Sequence, residues 1–75
     1  MRKEYLKIKD DVDLKELEKF GFRKQWTHWK EERMCGQRKV DLVFYEKDKV
    51  LFGDDLITLF DITQAGLVEK VVEDE

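Results

Sequence analysis

Residues 5–9 alternate, with Leu6 and Ile8 on one side and Tyr5, Lys7 and Lys9 on the other, the pattern of a half-buried β-strand. After Asp10 and Asp11 the spacing becomes helical, and Leu14, Leu17 and Phe20 form one apolar stripe. Asp13 is placed as N-cap and Glu16 as its capping-box partner. Val12 and Leu17 are placed as a hydrophobic staple, and Gly21 as a left-handed stop after which Phe22 folds back on Leu17. A helix of about two turns is not stable alone in water, so it has to dock on another element.

Residues 22–31 read as a strand with Phe22, Trp26 and His28 on one side and Arg23, Thr27 and Trp29 on the other, although the two tryptophans also share a helical spacing. The polar run EERMCGQRK, residues 31–39, predicts a loop or edge around Gly36. Residues 39–45 and 49–52 then form a hairpin whose inner face is Val40, Leu42 and Phe44. Gly53, Asp54 and Asp55 close it, and a second helical pattern runs over 56–65 up to Gly66. Residues 67–72 are β-branched enough for a last strand, with a helical reading of LVEKVV also open.

The two helical stretches echo each other at an offset of 45 positions. Val12, Asp13, Leu14, Glu16, Leu17, Phe20, Gly21 and Phe22 are matched in type by Ile57, Thr58, Leu59, Asp61, Ile62, Ala65, Gly66 and Leu67. This internal pseudo-repeat makes Thr58 the second N-cap, with Asp61 completing its capping box. The expected fold is α+β, a mostly antiparallel sheet with two short capped helices on one face, in the order β-α-β-β-β-α-β.

Composition adds bounds. At 75 residues the chain is one small domain, residues 1–75, with 41% hydrophobic and 44% charged residues and no proline. A domain of this size buries only about 60% of the surface exposed by its unfolded chain. Cys35 is the single cysteine, which excludes an internal disulfide. No apolar run is long enough for a signal peptide or a membrane span, so the expected address is cytoplasmic and no membrane partner is implied. The net charge of -3 is unevenly spread: residues 22–40 hold six basic and two acidic side chains, whereas residues 54–75 hold one basic and seven acidic.

The stretches YLKIKDDVDLKELEKFGF, residues 5–22, and LFDITQAGLVEKV, residues 59–71, resemble a family of small uncharacterised proteins from Firmicutes-type bacteria and their prophages. The resemblance rests on structural residues. It implies a mobile-element setting in the cytosol and no chemistry.

Catalytic and cofactor signals are weak. His28 is the only imidazole and has no second ligand at zinc spacing, Cys35 has no acid/base relay, and Asp54 and Asp55 are explained by the helix they precede. No catalytic residues, cofactor or metal are expected, and the chain reads as a binding module without enzymatic activity. Two surfaces are candidates. Trp29, with Tyr45, Val43 and Tyr5, falls on the uncovered side of the sheet, an aromatic face suited to a protein partner or to a second copy in a homodimer. Alternatively Arg23, Lys24, Lys30, Arg33, Arg38 and Lys39, interleaved with aromatic residues, supply phosphate contacts and stacking platforms for nucleic acid. The acidic end, Glu69, Glu73, Asp74 and Glu75, opposes the second reading and is expected as a solvated terminus.

Overall fold

A computed structural model describes residues 2–74. The strands are β1 (Arg2–Ile8), β2 (Arg23–Gln25), β3 (His28–Cys35), β4 (Arg38–Tyr45), β5 (Leu51–Gly53) and β6 (Val68–Asp74). A 3-10 helix (Leu14–Phe20) follows β1, and α1 (Leu56–Gln64) lies between β5 and β6. All pairings are antiparallel, in a four-stranded sheet β2-β3-β4-β5 and a two-stranded ladder β1-β6. A bridge between Lys7 and Val50 and a hydrogen bond from the Ile8 amide to the Lys49 carbonyl (2.9 Å) join the two. The chain is thus a small α+β domain built on antiparallel sheets.

The order has one strand more than the spacing predicts, because residues 22–31 do not run straight. Gln25 pairs with His28, so Trp26 and Thr27 form a tight turn between β2 and β3, and Trp26 takes a left-handed φ of 51°. The turn reverses the expected positions of the two tryptophans. Trp26, expected in the core, is 94% exposed, whereas Trp29, expected on the outer face, is 5% exposed. Of the two readings open for 31–39, loop or edge, the structure favours the edge: β3 continues to Cys35, paired past Lys30 with β4 alone, and β4 begins at Arg38, with Gly36 and Gln37 turning between them. Here the inward positions of β3 are Glu31, Arg33 and Cys35, set opposite Leu42, Val40 and Arg38, so no apolar alternation announces the strand.

Val40, Leu42 and Phe44 do face inward as their alternation requires. They meet Ile8 of β1, Phe22, Trp29, Val68 of β6, Leu17 of the 3-10 helix and Ile62 of α1, and all of these except Val40 join in one buried cluster. Both helices therefore contribute to a core on the same side of the sheet.

The two helices end alike and begin differently. Gly21 and Gly66 have φ of 97° and 79°, and the next residue donates back across each: Phe22 N–H to the Leu17 carbonyl (3.3 Å), and Leu67 N–H to the Ile62 carbonyl (3.1 Å). At the first start, Asp13 is the cap but its side chain accepts from the Lys15 amide, and Glu16 pairs with Lys19 rather than closing a capping box. At the second, the cap is Asp55 and not Thr58, whose amide donates to the Asp55 side chain (3.1 Å). The 45-residue echo is realised at the glycine stops and lost at the N-caps.

A methyl group on Gly21 would be strained by φ and would stand 3.2 Å from Glu31 Cγ, whereas one on Gly66 meets no atom within 4 Å. Gly66→Ala should therefore destabilise the chain by about 1 kcal/mol and Gly21→Ala by clearly more. Urea denaturation of the two variants measures this; equal costs would contradict the contact with Glu31.

Candidate functional site

The outer side of the sheet is set by strand parity. His28 lies opposite Tyr45 and Val43 opposite Phe52, so these four share one face. Their rings run across three strands, with His28 and Tyr45 centroids 5.5 Å apart and Tyr45 and Phe52 centroids 6.0 Å apart. The Lys7–Val50 bridge carries the same parity to β1 and assigns Tyr5 to this side. Tyr5 is half-buried, its hydroxyl donates to Glu73 (2.7 Å), and that bond raises its pKa. Tyr45, Val43 and Tyr5 thus stand where alternation places them, and Trp29 does not.

Trp29 is a core residue because the turn at Trp26 shifts the phase of β3. Its ring lies parallel to Phe44 within 3°, at 6.3 Å between centroids, and its indole N–H donates to Glu46 (2.8 Å). That bond, followed by the one from Lys24, holds the Glu46 carboxyl below its ordinary range.

Five of the six basic side chains pair with carboxylates within the chain. Lys24 pairs with Glu46 (3.2 Å), Lys30 and Lys39 both with Glu32 (2.6 and 2.8 Å), Arg33 with Asp55 (3.4 Å) and Arg38 with Asp54 (2.7 Å). The two lysines hold Glu32 down to about 2. Among the described residues Arg23 alone of the six has no ion pair.

A second region was not legible in the sequence. Under the start of α1, Glu31, Asp55 and Thr58 are all buried. The Thr58 hydroxyl lies 2.9 Å from Asp55 Oδ2 and 3.3 Å from Glu31 Oε2, while Glu31 Oε1 and Arg33 Nε have no hydrogen-bond partner. Burial first, and then the neighbouring Asp55 carboxyl, push Glu31 up to about 8. Burial also raises Asp55, but hydrogen bonds from Glu31 and from the Thr58 amide and hydroxyl, with the Arg33 charge, outweigh it and leave Asp55 below its ordinary value. Burial and the Asp55 carboxyl thus favour a protonated Glu31 beside an ionised Asp55.

Beside this pair opens a cleft of about 230 Å³, with Val40, Leu56 and Ile57 as apolar walls and Arg33, Cys35, Arg38, Asp54 and Asp55 around them. Glu31 is not in its lining, so the proton-bearing carboxyl is closed to anything bound there. Cys35 is exposed at the rim, and His28 is half-buried on the opposite side of the sheet. No group of three or more potential metal ligands occurs among the described residues, and no helix there is long and apolar enough to cross a membrane. Of the acidic end, Glu69, Glu73 and Asp74 belong to β6, and Glu75 lies outside the described residues. Comparison with known proteins gave no match to a family model, a curated protein or a solved structure.

Because the folded chain holds the Glu31 proton up to about pH 8 and the unfolded carboxyl releases it near 4.5, the stability it contributes is complete below about 4.5 and lost as pH rises through 8. Asp55 acts oppositely, contributing above its ordinary 3.8 and losing the contribution as pH falls toward its lowered folded value. Glu31→Gln keeps the shape without the proton, so its melting temperature should decline less than wild type's from about pH 5 to 8. Identical slopes in thermal melts across that range would refute proton retention by Glu31.

Proposed function

We propose that this chain is a non-enzymatic binding module for a protein partner, using the aromatic outer face of its sheet. The observation that carries the reading is the ring ladder His28–Tyr45–Phe52 across three adjacent strands, with Tyr45 and Phe52 well exposed and Val43 between them. Aromatic side chains supply contact area at low entropic cost and are enriched at interfaces. Trp26, projecting from the turn two residues before His28, adds an anchor at one end of the ladder. Tyr5 extends it at the other.

Nucleic acid is the second reading, through Arg23, Lys24, Lys30, Arg33 and Arg38. Its support is weaker, since all but Arg23 already pair with a carboxylate, which offsets the charge offered to a phosphate. A cytosolic setting in Firmicutes-type bacteria or their prophages belongs to the same proposal and rests on the resemblance of residues 5–22 and 59–71 alone.

The test is retention of a specific protein from host lysate by immobilised wild type and by Tyr45→Ala/Phe52→Ala. The double variant should keep its circular dichroism and lose the protein. Retention that survives it, or no specific retention by wild type, contradicts the reading; salt-sensitive binding of labelled single-stranded DNA or RNA would transfer it to the basic segment. Trp29→Ala serves as contrast, because truncating that buried indole should cost about 3–5 kcal/mol and unfold the chain.

A further inference from the structure

The outward side of α1 is apolar where a surface helix ordinarily turns polar residues to water. Leu56, Ile57 and Phe60 are 70%, 50% and 62% exposed, while Thr58 and Ile62 on the opposite side are buried. At 3.6 residues per turn Leu56 and Phe60 lie one above the other, with Ile57 and then Asp61 beside them. This surface is separate from the aromatic ladder, which occupies the other side of the sheet.

We propose that α1 is a self-association surface, occupied by the α1 of a second copy of this chain packed antiparallel about a twofold axis. Two features select a copy over a partner of other chemistry. The first is charge. Arg33 and Arg38 at the start of the helix pair with Asp55 and Asp54, and Arg38 keeps further guanidinium donors for a second carboxylate. Further along, Asp61 is exposed and makes no ion pair among the described residues, and the last turn of α1 has no basic side chain. An antiparallel copy brings its Asp61 to Arg38 at the start of the opposite helix, and the symmetry makes the same contact twice.

The second feature is register. Setting Leu56 of one copy against Phe60 of the other also sets Phe60 against Leu56, leaves Ile57 near the axis, and carries Asp61 toward position 55 of the opposite helix, where Arg38 stands 76% exposed with guanidinium donors beyond the one used by Asp54. One alignment therefore satisfies both the apolar pairs and the charge pairs. Such an interface is isologous and closed, as a dimer requires. The cleft beside Leu56 and Ile57 becomes its edge.

Sedimentation equilibrium of the full chain from micromolar to millimolar concentration tests this. Wild type should reach a dimer, and Phe60→Asp should remain monomeric with unchanged circular dichroism. Asp61→Arg and Arg38→Asp should each weaken association at least tenfold, and combining them should recover most of the loss. A wild-type monomer at every concentration, a dimer that survives Phe60→Asp, or a double reversal no better than the single ones would overturn the proposal. Tyr45→Ala/Phe52→Ala should dimerise like wild type, so failure here is distinguishable from failure of the outer-face reading.

Discussion

The structure depends on the phase of β3, and that phase is held by Trp29. Its ring stacks on Phe44 of the neighbouring strand, and its indole N–H is satisfied by Glu46, a residue just beyond the end of β4. A strand shifted by one residue would turn every side chain to the opposite face, exposing the indole and burying His28. With Trp29 fixed inward, Glu31 and Arg33 must also point inward, toward α1, and His28, Lys30 and Glu32 must point out. The aromatic ladder, the Lys30–Glu32–Lys39 cluster and the buried carboxyl pair all follow from that choice.

The carboxyl pair is the polar continuation of the core. Where β3 passes beneath the start of α1, the inward positions are Glu31 and Arg33, and the helix answers with Asp55 and Thr58. Asp55 caps the helix and receives Glu31 and Arg33 from the strand, so one side chain both starts α1 and seats it on the sheet. Two buried carboxylates beside one guanidinium would leave an excess negative charge, and retention of a proton by Glu31 removes it. Gly21, whose missing side chain leaves room for Glu31, ties the 3-10 helix to the same arrangement.

Local signals were legible and phase was not. Gly21 and Gly66 stop their helices because a left-handed residue is written into the sequence as glycine, and the inward run Val40, Leu42, Phe44 shows in simple alternation. The turn at Trp26 and Thr27 carries no such mark: two large residues occupy it, with a tryptophan at φ 51°, a conformation usually left to glycine, asparagine or aspartate. Reading through that turn keeps β2 and β3 as one strand and exchanges the places of the two tryptophans. The continuation of β3 past residue 31 was hidden for a different reason, since its inward side chains Glu31 and Arg33 are polar and lie beside Asp55, so no apolar alternation marks the strand. Tyr5, Val43 and Tyr45 were placed on the outer side correctly because the alternation of β1 and β4 is unbroken. Phe52 and His28 join them only through strand register, which no single strand contains.

The turn at Trp26 places one tryptophan in water and the other in the core, and both faces of the sheet follow from it. Acrylamide quenching of the two single-tryptophan variants tests it directly. In Trp26→Phe, the remaining Trp29 should emit at short wavelength and be strongly shielded from quencher; in Trp29→Phe, judged on chain confirmed as folded, Trp26 should emit and quench like free indole. A readily quenched Trp29 beside a shielded Trp26 would contradict the phase of β3 and the assignment of both faces of the sheet.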